Sequence, residues 1–174
     1  MPVKAFIASL AMGLMVITMA SCSNPFAPKM LEGDILGDLL GNPATIEGFY
    51  TRFQSAYQFR DTTMYGLLIH PDFIFTFRDQ QQNVDISWGR SEEMNSTTRL
   101  FENSRDIQLQ WNNIIDRIDA PGGLQTRIVR RFNLTVLLEG SDLFRTDGAA
   151  VFTLTRADTT SSWQLIRWRD ESDL

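Results

Sequence analysis

Residues 67–77 read Leu67-Leu68-Ile69-His70-Pro71-Asp72-Phe73-Ile74-Phe75-Thr76-Phe77 and mark a change from helix to sheet. The apolar residues that follow Asp61 predict a short helix ending at His70, because proline disfavours helical geometry in the residue before it. Beyond Pro71 every second residue is phenylalanine, and this period of two predicts a strand with one aromatic face. The segment therefore joins helices on its N-terminal side to a sheet that begins with this strand.

Upstream, a longer helix is predicted to begin after Thr45. Thr45 suits the N-cap position, and Glu47 falls in the first helical turn. The following apolar residues recur at spacings of three and four, the period of one buried helical face. They are Ile46, Phe49, Tyr50, Phe53 and Tyr57. The sequence thus predicts a helix that presents a strongly aromatic stripe to the core.

Downstream, the chain is predicted to form a series of strands with one further helix. A polar turn at 79–83 precedes a return strand at 84–88, and Ser91 with Glu92 and Glu93 predicts the start of a third helix. Beyond residue 103, apolar and polar residues alternate in long segments separated by turn sequences. One face of the first segment is expected to hold Ile107, Leu109, Trp111 and Ile115, and one face of the second Ile128, Phe132, Leu134, Val136 and Leu138. Two further strands are expected at 149–156 and 163–170, and only Arg130 interrupts an apolar face.

This order of elements predicts the fold class. Helices come first and meandering strands follow, which is the order of an α+β protein with its helices on one face of an antiparallel sheet. The phenylalanines and tryptophans suffice for its core, since each buried aromatic removes roughly 150 Å² from water at about 25 cal/mol per Å².

The same order resembles the nuclear transport factor 2-like superfamily over residues 45–170, and most closely its bacterial lipoproteins of undefined activity. The matching segments are 67–75, Trp88-Gly89-Arg90, 148–154 and 163–170. The resemblance implies a curved sheet wrapped around helices into a cone, whose open end holds a small hydrophobic ligand. The superfamily includes isomerases, dehydratases, polyketide cyclases and non-enzymatic binding proteins, so the fold alone does not decide the function.

Catalytic candidates are few. In the related ketosteroid isomerases a catalytic aspartate follows the first strand's initial aspartate by five residues, and counting from Asp72 leads to Phe77, which cannot transfer a proton. His70 is the only histidine; it is either a capping or surface imidazole or a base working with Asp72. A buried tyrosine such as Tyr57 is the remaining candidate.

Ligand-binding candidates come from the predicted inner face of the sheet. Arg130 reaches into the cone to pair with a ligand carboxylate, forms a structural pair with a core acid, or is turned outward by a bulge. The aromatic candidates line the cavity or simply fill the core. They are Phe73, Phe75, Trp111 and Trp168.

The first 22 residues are typical of a lipoprotein leader. Lys4 precedes sixteen uncharged residues, and Met19-Ala20-Ser21-Cys22 resembles the lipobox of bacterial lipoproteins, in which the cysteine is acylated. The run is shorter than the roughly 20 residues of a spanning helix, although an uncleaved anchor is the alternative. A free thiol at Cys22 is the other alternative, with no second cysteine to pair with it. We expect a signal peptide at 1–21, a lipidated tether at 22–44 and a domain at 45–174.

Charge limits the partners. Removing residues 1–21 takes away Lys4 and no acid, so 15 basic and 21 acidic side chains remain and the net charge is −6. Such a balance argues against nucleic acid, and it leaves the lipid on Cys22 as the contact with a membrane. The sequence has no glycine-rich phosphate loop and no histidine or cysteine cluster at metal spacing, so we expect neither cofactor nor metal.

Two hypotheses lead, and a third possibility is a cone filled by its own side chains that serves as a structural part of an envelope assembly. The first is a lipid-anchored, non-enzymatic protein of the bacterial envelope, at the outer membrane or the periplasmic face, that binds a small apolar ligand or a protein partner. The second is an isomerase or dehydratase with an acid-base residue in the cone. A titratable group lining the cavity would favour the second. The polar outer sheet face predicts a monomer or weak dimer, through Gln108, Gln110, Asn112, Arg127, Arg131 and Asn133.

Overall fold

The computed structural model describes residues 35–79 and 81–170 as four helices and six strands. The helices are α1 Ile35–Leu40, α2 Ile46–Phe59, α3 Thr62–Leu68 and α4 Arg90–Glu102. The strands are β1 Ile69–Asp79, β2 Val84–Gly89, β3 Ser104–Asp119, β4 Gln125–Leu138, β5 Leu143–Thr155 and β6 Gln164–Asp170. The predicted signal peptide, Cys22 and most of the predicted tether lie outside the described residues.

Helix α2 begins as its sequence predicts. The Thr45 hydroxyl accepts a hydrogen bond from the Gly48 amide at 3.1 Å, which satisfies one of the free N–H groups of the first turn. The aromatic stripe is buried, with Phe49, Tyr50 and Phe53 at most 1% exposed. The helix ends at Phe59, and the left-handed backbone of the next residue, Arg60 (φ 55°), directs its amide to carbonyls of the last turn.

Helix α3 ends two residues earlier than the sequence predicted. Asp61 caps it by accepting from the Met64 amide at 2.9 Å, but the helix stops at Leu68. Ile69 and His70 already belong to β1, and Ile69 is buried opposite Leu165 of β6. Because Ile69 pairs with β6, the helix ends at Leu68, before the position at which Pro71 would stop it.

The six strands form one mixed, curved sheet in the order β2-β1-β6-β5-β4-β3. The predicted class, helices packed on a curved sheet, is confirmed. One pairing differs from the antiparallel expectation: β1 and β6 run parallel, while every other neighbouring pair is antiparallel. No turn connects β1 to β6, so local sequence does not set their relative direction.

Strand β3 departs from simple alternation. Trp111 pairs with Phe132 and Ile114 pairs with Arg130, so three steps on β3 match two steps on β4. This extra residue is a bulge, and it reverses which side chains point inward. Ile114 therefore packs against the core, and Ile115, which was predicted to share the inner face, is 55% exposed.

The core between helices and sheet is mainly aromatic. Phe152 of β5 stacks on Tyr50 at a centroid distance of 5.7 Å and meets Phe49 edge-to-face at 6.3 Å. Edge-to-face and stacked pairs add to the free energy of burial, at about 0.5–1.5 kcal/mol each. The core therefore holds α2 tightly against the centre of the sheet.

Helix α1 lies within the predicted tether and contacts the domain. Its last residue, Leu40, is buried, whereas Leu39 is 72% exposed. Arg52 of α2 donates to the carbonyl oxygen of Gly41 at 3.0 Å. Within the described residues no helix is both long and apolar enough to cross a membrane.

Candidate functional site

A cavity of about 340 Å³ opens between α2, α4 and the inner face of the sheet. Every strand contributes to its wall, through Phe75, Trp88, Leu109, Phe132, Thr146 and Trp168 in chain order of the strands. Helix α2 adds Phe53 and Tyr57, and α4 adds a polar group of residues around Glu93. The volume falls in the range of small-molecule sites.

The register of three adjacent strands builds the most aromatic part of the wall. Phe75 of β1 lies opposite Trp88 of β2 on one side and Trp168 of β6 on the other. Phe75 and Trp88 stack at 4.2 Å, and Trp168 meets Phe75 edge-to-face at 5.1 Å. Since all three side chains point to the same face of the sheet, they form a continuous aromatic surface.

Glu93 provides the polar end of the cavity. Its side chain is buried, at 4% exposure, and its carboxylate accepts three hydrogen bonds. Oε1 accepts from the Tyr65 hydroxyl at 2.6 Å and the Thr97 hydroxyl at 3.2 Å, and Oε2 accepts from Nε1 of Trp88 at 2.8 Å. These contacts tie α3, α4 and β2 together beside the cavity.

Two buried tyrosines lie beside this carboxylate. Burial raises the pKa of the Tyr57 hydroxyl well above its ordinary value, and the negative charge of Glu93 raises it further. Burial also raises the pKa of Tyr65, with Tyr57 and Glu93 as the next causes. Both groups therefore keep their protons near neutral pH and can donate hydrogen bonds, but neither serves as a base.

The described residues that line the cavity carry negative but no positive charge. Glu93 and Asp170 are the acids, and no arginine, lysine or histidine is among the lining residues. Within the described part of the chain, Glu93 forms no ion pair with any basic side chain. In residues 35–79 and 81–170, no three His, Cys, Asp or Glu side chains group as a metal site requires.

Two indole N–H groups in the cavity wall lack hydrogen-bond acceptors in the described structure. They belong to Trp111 and Trp168, and neither nitrogen is exposed. Trp111 meets Tyr50 edge-to-face at 4.8 Å, and Trp168 meets Phe152 edge-to-face at 5.1 Å. The surroundings of both indoles are therefore aromatic rather than polar, which suits an apolar ligand on this side of the cavity.

Four of the residues predicted from sequence lie together in the wall of the cavity: Tyr57, Phe75, Trp111 and Trp168. Phe73 does not reach it and is fully buried in the core instead. Phe77 packs against Phe75 and Trp88 beyond the lining residues, with ring centroids 6.1 and 5.6 Å apart. Most of the aromatic residues predicted for the site therefore line the same cavity.

His70 and Asp72 lie at the start of β1 and are not among the lining residues. The Nδ1 atom of His70 accepts from the Asp72 amide at 3.1 Å, and Nδ1 lies 3.9 Å from Oδ2 of Asp72. The Asp72 side chain is 87% exposed. This geometry fits the surface alternative stated above for His70.

Arg130 is also not among the lining residues, and it has structural partners. Its guanidinium donates to the carbonyl of Asn112 at 2.8 Å and to Oε2 of Glu47 at 3.0 Å, and it covers the ring of Tyr50 at 4.5 Å. The carbonyl comes from the β3 bulge, so Arg130 fills the irregularity opposite it. Of the alternatives for Arg130, this is the structural pair, but its acid is Glu47 of α2, whose side chain is 67% exposed and not part of the core.

Sequence reasoning missed Glu93, which it assigned only to the charged start of a helix. A signal was present, because Glu93, Thr97 and Phe101 are spaced by four and share one helical face. All three are buried. A carboxylate on a face that also carries phenylalanine could have been recognised as an inward-facing acid.

Solved structures share this fold. A nuclear transport factor 2-like superfamily protein from Salmonella enterica matches with a TM-score of 0.55 and 12% identity, covering 71% of this chain and 85% of that one. A protein with a cystatin-like fold from Caulobacter vibrioides matches with a TM-score of 0.55 and 13% identity, covering 74% of this chain and 87% of that one. A Novosphingobium aromaticivorans protein provisionally named scytalone dehydratase matches with a TM-score of 0.60 and 14% identity, covering 71% of this chain and 78% of that one.

These likenesses confirm the fold that the sequence resemblance predicted. The chain has the cone-shaped α+β fold of nuclear transport factor 2-like and cystatin-like proteins. No protein-family model matches the chain, and no curated protein matches its sequence. At this level of identity the structural likeness describes the fold and leaves the activity open.

Proposed function

We propose that the domain binds a small, largely apolar ligand in the cavity between α2, α4 and the sheet. The observation that carries the proposal is the 340 Å³ cavity with seven aromatic rings in its wall. An apolar ligand that enters this space leaves water without requiring the protein to lose hydrogen bonds.

A cavity-blocking pair of variants tests this proposal. Ser96 is an exposed residue of α4 that lines the cavity, and Ser91 is an exposed residue of the same helix outside the lining. The full chain carrying Cys22→Ser, purified gently from its bacterial host, is expected to show a small-molecule adduct by native mass spectrometry. Ser96→Trp should abolish the adduct because the indole occupies the cavity, whereas Ser91→Trp should retain it.

Two results would contradict this function. An adduct equally abundant in Ser96→Trp would place the ligand elsewhere on the molecule. A clean mass for the parent chain, repeated after incubation with lipid extract of the host, would direct the search to a protein partner in the envelope.

We further propose that the chain is anchored at a bacterial membrane, at the outer membrane or periplasmic face, by lipid on Cys22. The support is the leader at 1–21 and the net charge of −6 that remains after it, since a surface of that charge does not adhere to anionic lipid. Cys22→Ala should move the protein from the membrane fraction to the soluble fraction. Release of the parent chain by a high-salt wash would contradict a covalent anchor.

An enzyme of the isomerase or dehydratase type is the second candidate. One observation favours it: Glu93, a titratable group, lines the cavity beside the hydroxyl of Tyr57. The provisional name of the Novosphingobium aromaticivorans protein adds a structural neighbour of that type. Incubating the recovered ligand with parent chain and with Glu93→Gln, followed by NMR, separates the candidates, since only an enzyme changes the ligand in a Glu93-dependent way.

A further inference from the structure

We propose that the ligand of the cavity is an organic cation, an ammonium group on a small apolar body, with its charge at Glu93. This inference rests on the proposed function and names the class of molecule that the cavity takes. Three features of the described residues carry it: a buried carboxylate without a basic partner, its remaining acceptor site and the aromatic residues that line the same cavity.

Glu93 is a buried acid without a counter-charge. Its three partners, Tyr65, Thr97 and Trp88, are neutral donors, and among the described residues no basic side chain forms an ion pair with it. Buried carboxylates in proteins are normally paired with a cation, because an isolated charge in an apolar site is costly. A cationic ligand would supply the missing partner.

The carboxylate retains room for such a partner. An ionised carboxylate offers about four lone-pair sites to donors. Two donors reach Oε1 and one reaches Oε2, which leaves one site on Oε2. The ring of Trp88, whose N–H occupies the other site, itself lines the cavity and stacks on Phe75. An ammonium group at Oε2 would therefore lie beside aromatic surface.

The aromatic wall favours a cation over an anion. Ring faces are electron-rich and attract cations within about 6 Å of the centroid, especially those of tryptophan. Trp88, Trp111 and Trp168 all line the cavity, as does the carboxylate of Glu93. The wall carries no basic residue among those described, so an anionic ligand would meet repulsion without compensation. An inorganic cation would gain little from this apolar wall, which leaves an organic ammonium.

The size of the cavity limits the apolar body. At about 340 Å³ the space lies at the small end of the range for ligand sites, so it suits a single ring or short branched chain. An arylalkyl ammonium has both required parts: a ring to pack against Phe75 and Trp168, and a charge to reach Glu93.

Three probes of one shape and different charge test the inference. They are 2-phenylethylammonium, 2-phenylethanol and phenylacetate, titrated into the full chain carrying Cys22→Ser. Tryptophan fluorescence reports binding, since three of the four tryptophans line the cavity. We expect the ammonium to bind about tenfold or more tightly than the alcohol, and the carboxylate to bind most weakly.

A matched pair of variants locates the charge. Glu93→Gln should bring the affinities for the ammonium and the alcohol close together, because the amide is neutral. Glu92→Gln removes the same charge from an exposed neighbour that does not line this cavity, and should keep the preference. The comparison of probes on the unmodified chain tests the inference even if Glu93→Gln does not fold.

Each other outcome has a definite meaning. If the alcohol binds as tightly as the ammonium, the cationic ligand is overturned and the apolar-ligand function stands. Tightest binding by phenylacetate would overturn the charge argument itself. If no probe binds up to about 10 mM, well beyond useful affinity, the inference fails, and the cavity-blocking variants decide the function separately.

Discussion

Tyr65 and Tyr50 carry the same phenol hydroxyl in opposite circumstances. Both side chains are fully buried, but the Tyr65 hydroxyl donates to Glu93 at 2.6 Å, whereas that of Tyr50 has no partner in the described structure. A buried hydrogen bond to a charged group stabilises a protein by about 1.5–3 kcal/mol, while a buried group without a partner is a cost.

Removing each hydroxyl should therefore have different effects. Tyr65→Phe is expected to lower the free energy of unfolding by about 1.5–3 kcal/mol because it leaves Glu93 short of a donor. Tyr50→Phe, the matched control, should be neutral or stabilising. Urea unfolding of the two variants measures both values, and equal losses would contradict the role assigned to the Tyr65–Glu93 bond.

The tyrosines also predict how stability depends on pH. Burial raises the pKa of Tyr50, Tyr57 and Tyr65 in the folded chain above the ordinary value of 10.0. The unfolded chain therefore loses these protons first, so their stabilisation is complete below pH 10 and is lost as the pH rises beyond it. Each tyrosine contributes a slope of up to about 1.4 kcal/mol per pH unit.

Urea midpoints measured between pH 8 and 11 should reveal this loss, starting near pH 10. The chain has only two lysines, Lys4 and Lys29, so few other groups titrate there. Tyr65→Phe should lower the slope of unfolding free energy against pH by the contribution of one tyrosine. A stability that stays constant up to pH 11 would show that the phenols are more accessible than the structure indicates.

Among the elements, α2 and α3 each contain one glycine, and the two have different neighbours. A methyl group added at Gly48 of α2 would overlap the carbonyl of Asn42, a backbone group that cannot move aside. At Gly66 of α3 the nearest atom is Cε of Met94 at 3.3 Å, the end of a flexible side chain. The missing side chain at Gly48 is what allows the α1–α2 connection to lie this close to α2.

Alanine at these two positions should have opposite results. In an open helix, alanine is more stable than glycine by about 1 kcal/mol. Gly66→Ala should gain part of this amount, whereas Gly48→Ala should lose about 3 kcal/mol or more through overpacking. Thermal unfolding of the two variants checks this, and a stable Gly48→Ala would mean that the connection can shift without cost.

At the scale of the whole molecule, the outer face of the sheet carries arginines above small residues. Ala149 and Val151 of β5 are at most 8% exposed on this face, and their neighbours in the ladder are Arg131 of β4 and Arg169 of β6. Long arginine side chains cover apolar surface while the guanidinium stays in water. Arg169 pairs with Asp85 of β2 at 3.8 Å and Arg127 of β4 with Asp116 of β3 at 3.2 Å, so the outer face is polar and carries charges of both signs.

We therefore expect the protein to be a monomer or a weak dimer. Sedimentation equilibrium of the Cys22→Ser chain at micromolar concentration should give mainly the monomer mass, because so polar a face buries little apolar surface in a dimer. A dimer at every concentration would contradict this expectation.

Much of the fold could be predicted from local sequence. The Thr45 cap, the aromatic stripe of α2 and the alternating phenylalanines of β1 all depend on periodicity and neighbouring residues. The errors arose where distant residues compete: Ile69 leaves α3 to pair with β6, and the bulge in β3 turns Ile115 outward. Ile69 pairs with Leu165, and the bulge in β3 is set by pairing with β4 near Arg130. Partners this far along the chain do not show in a local sequence pattern.

The sequence by itself determined the class of fold and the aromatic character of the cavity, because these follow from composition, period and order. Only the tertiary structure decided which polar groups enter the cavity. Arg130 breaks an apolar strand pattern and yet pairs with Glu47, while Glu93 resembles a surface acid and is buried in the wall. The position of a charge depends on what packs around it, and that is set by the folded chain.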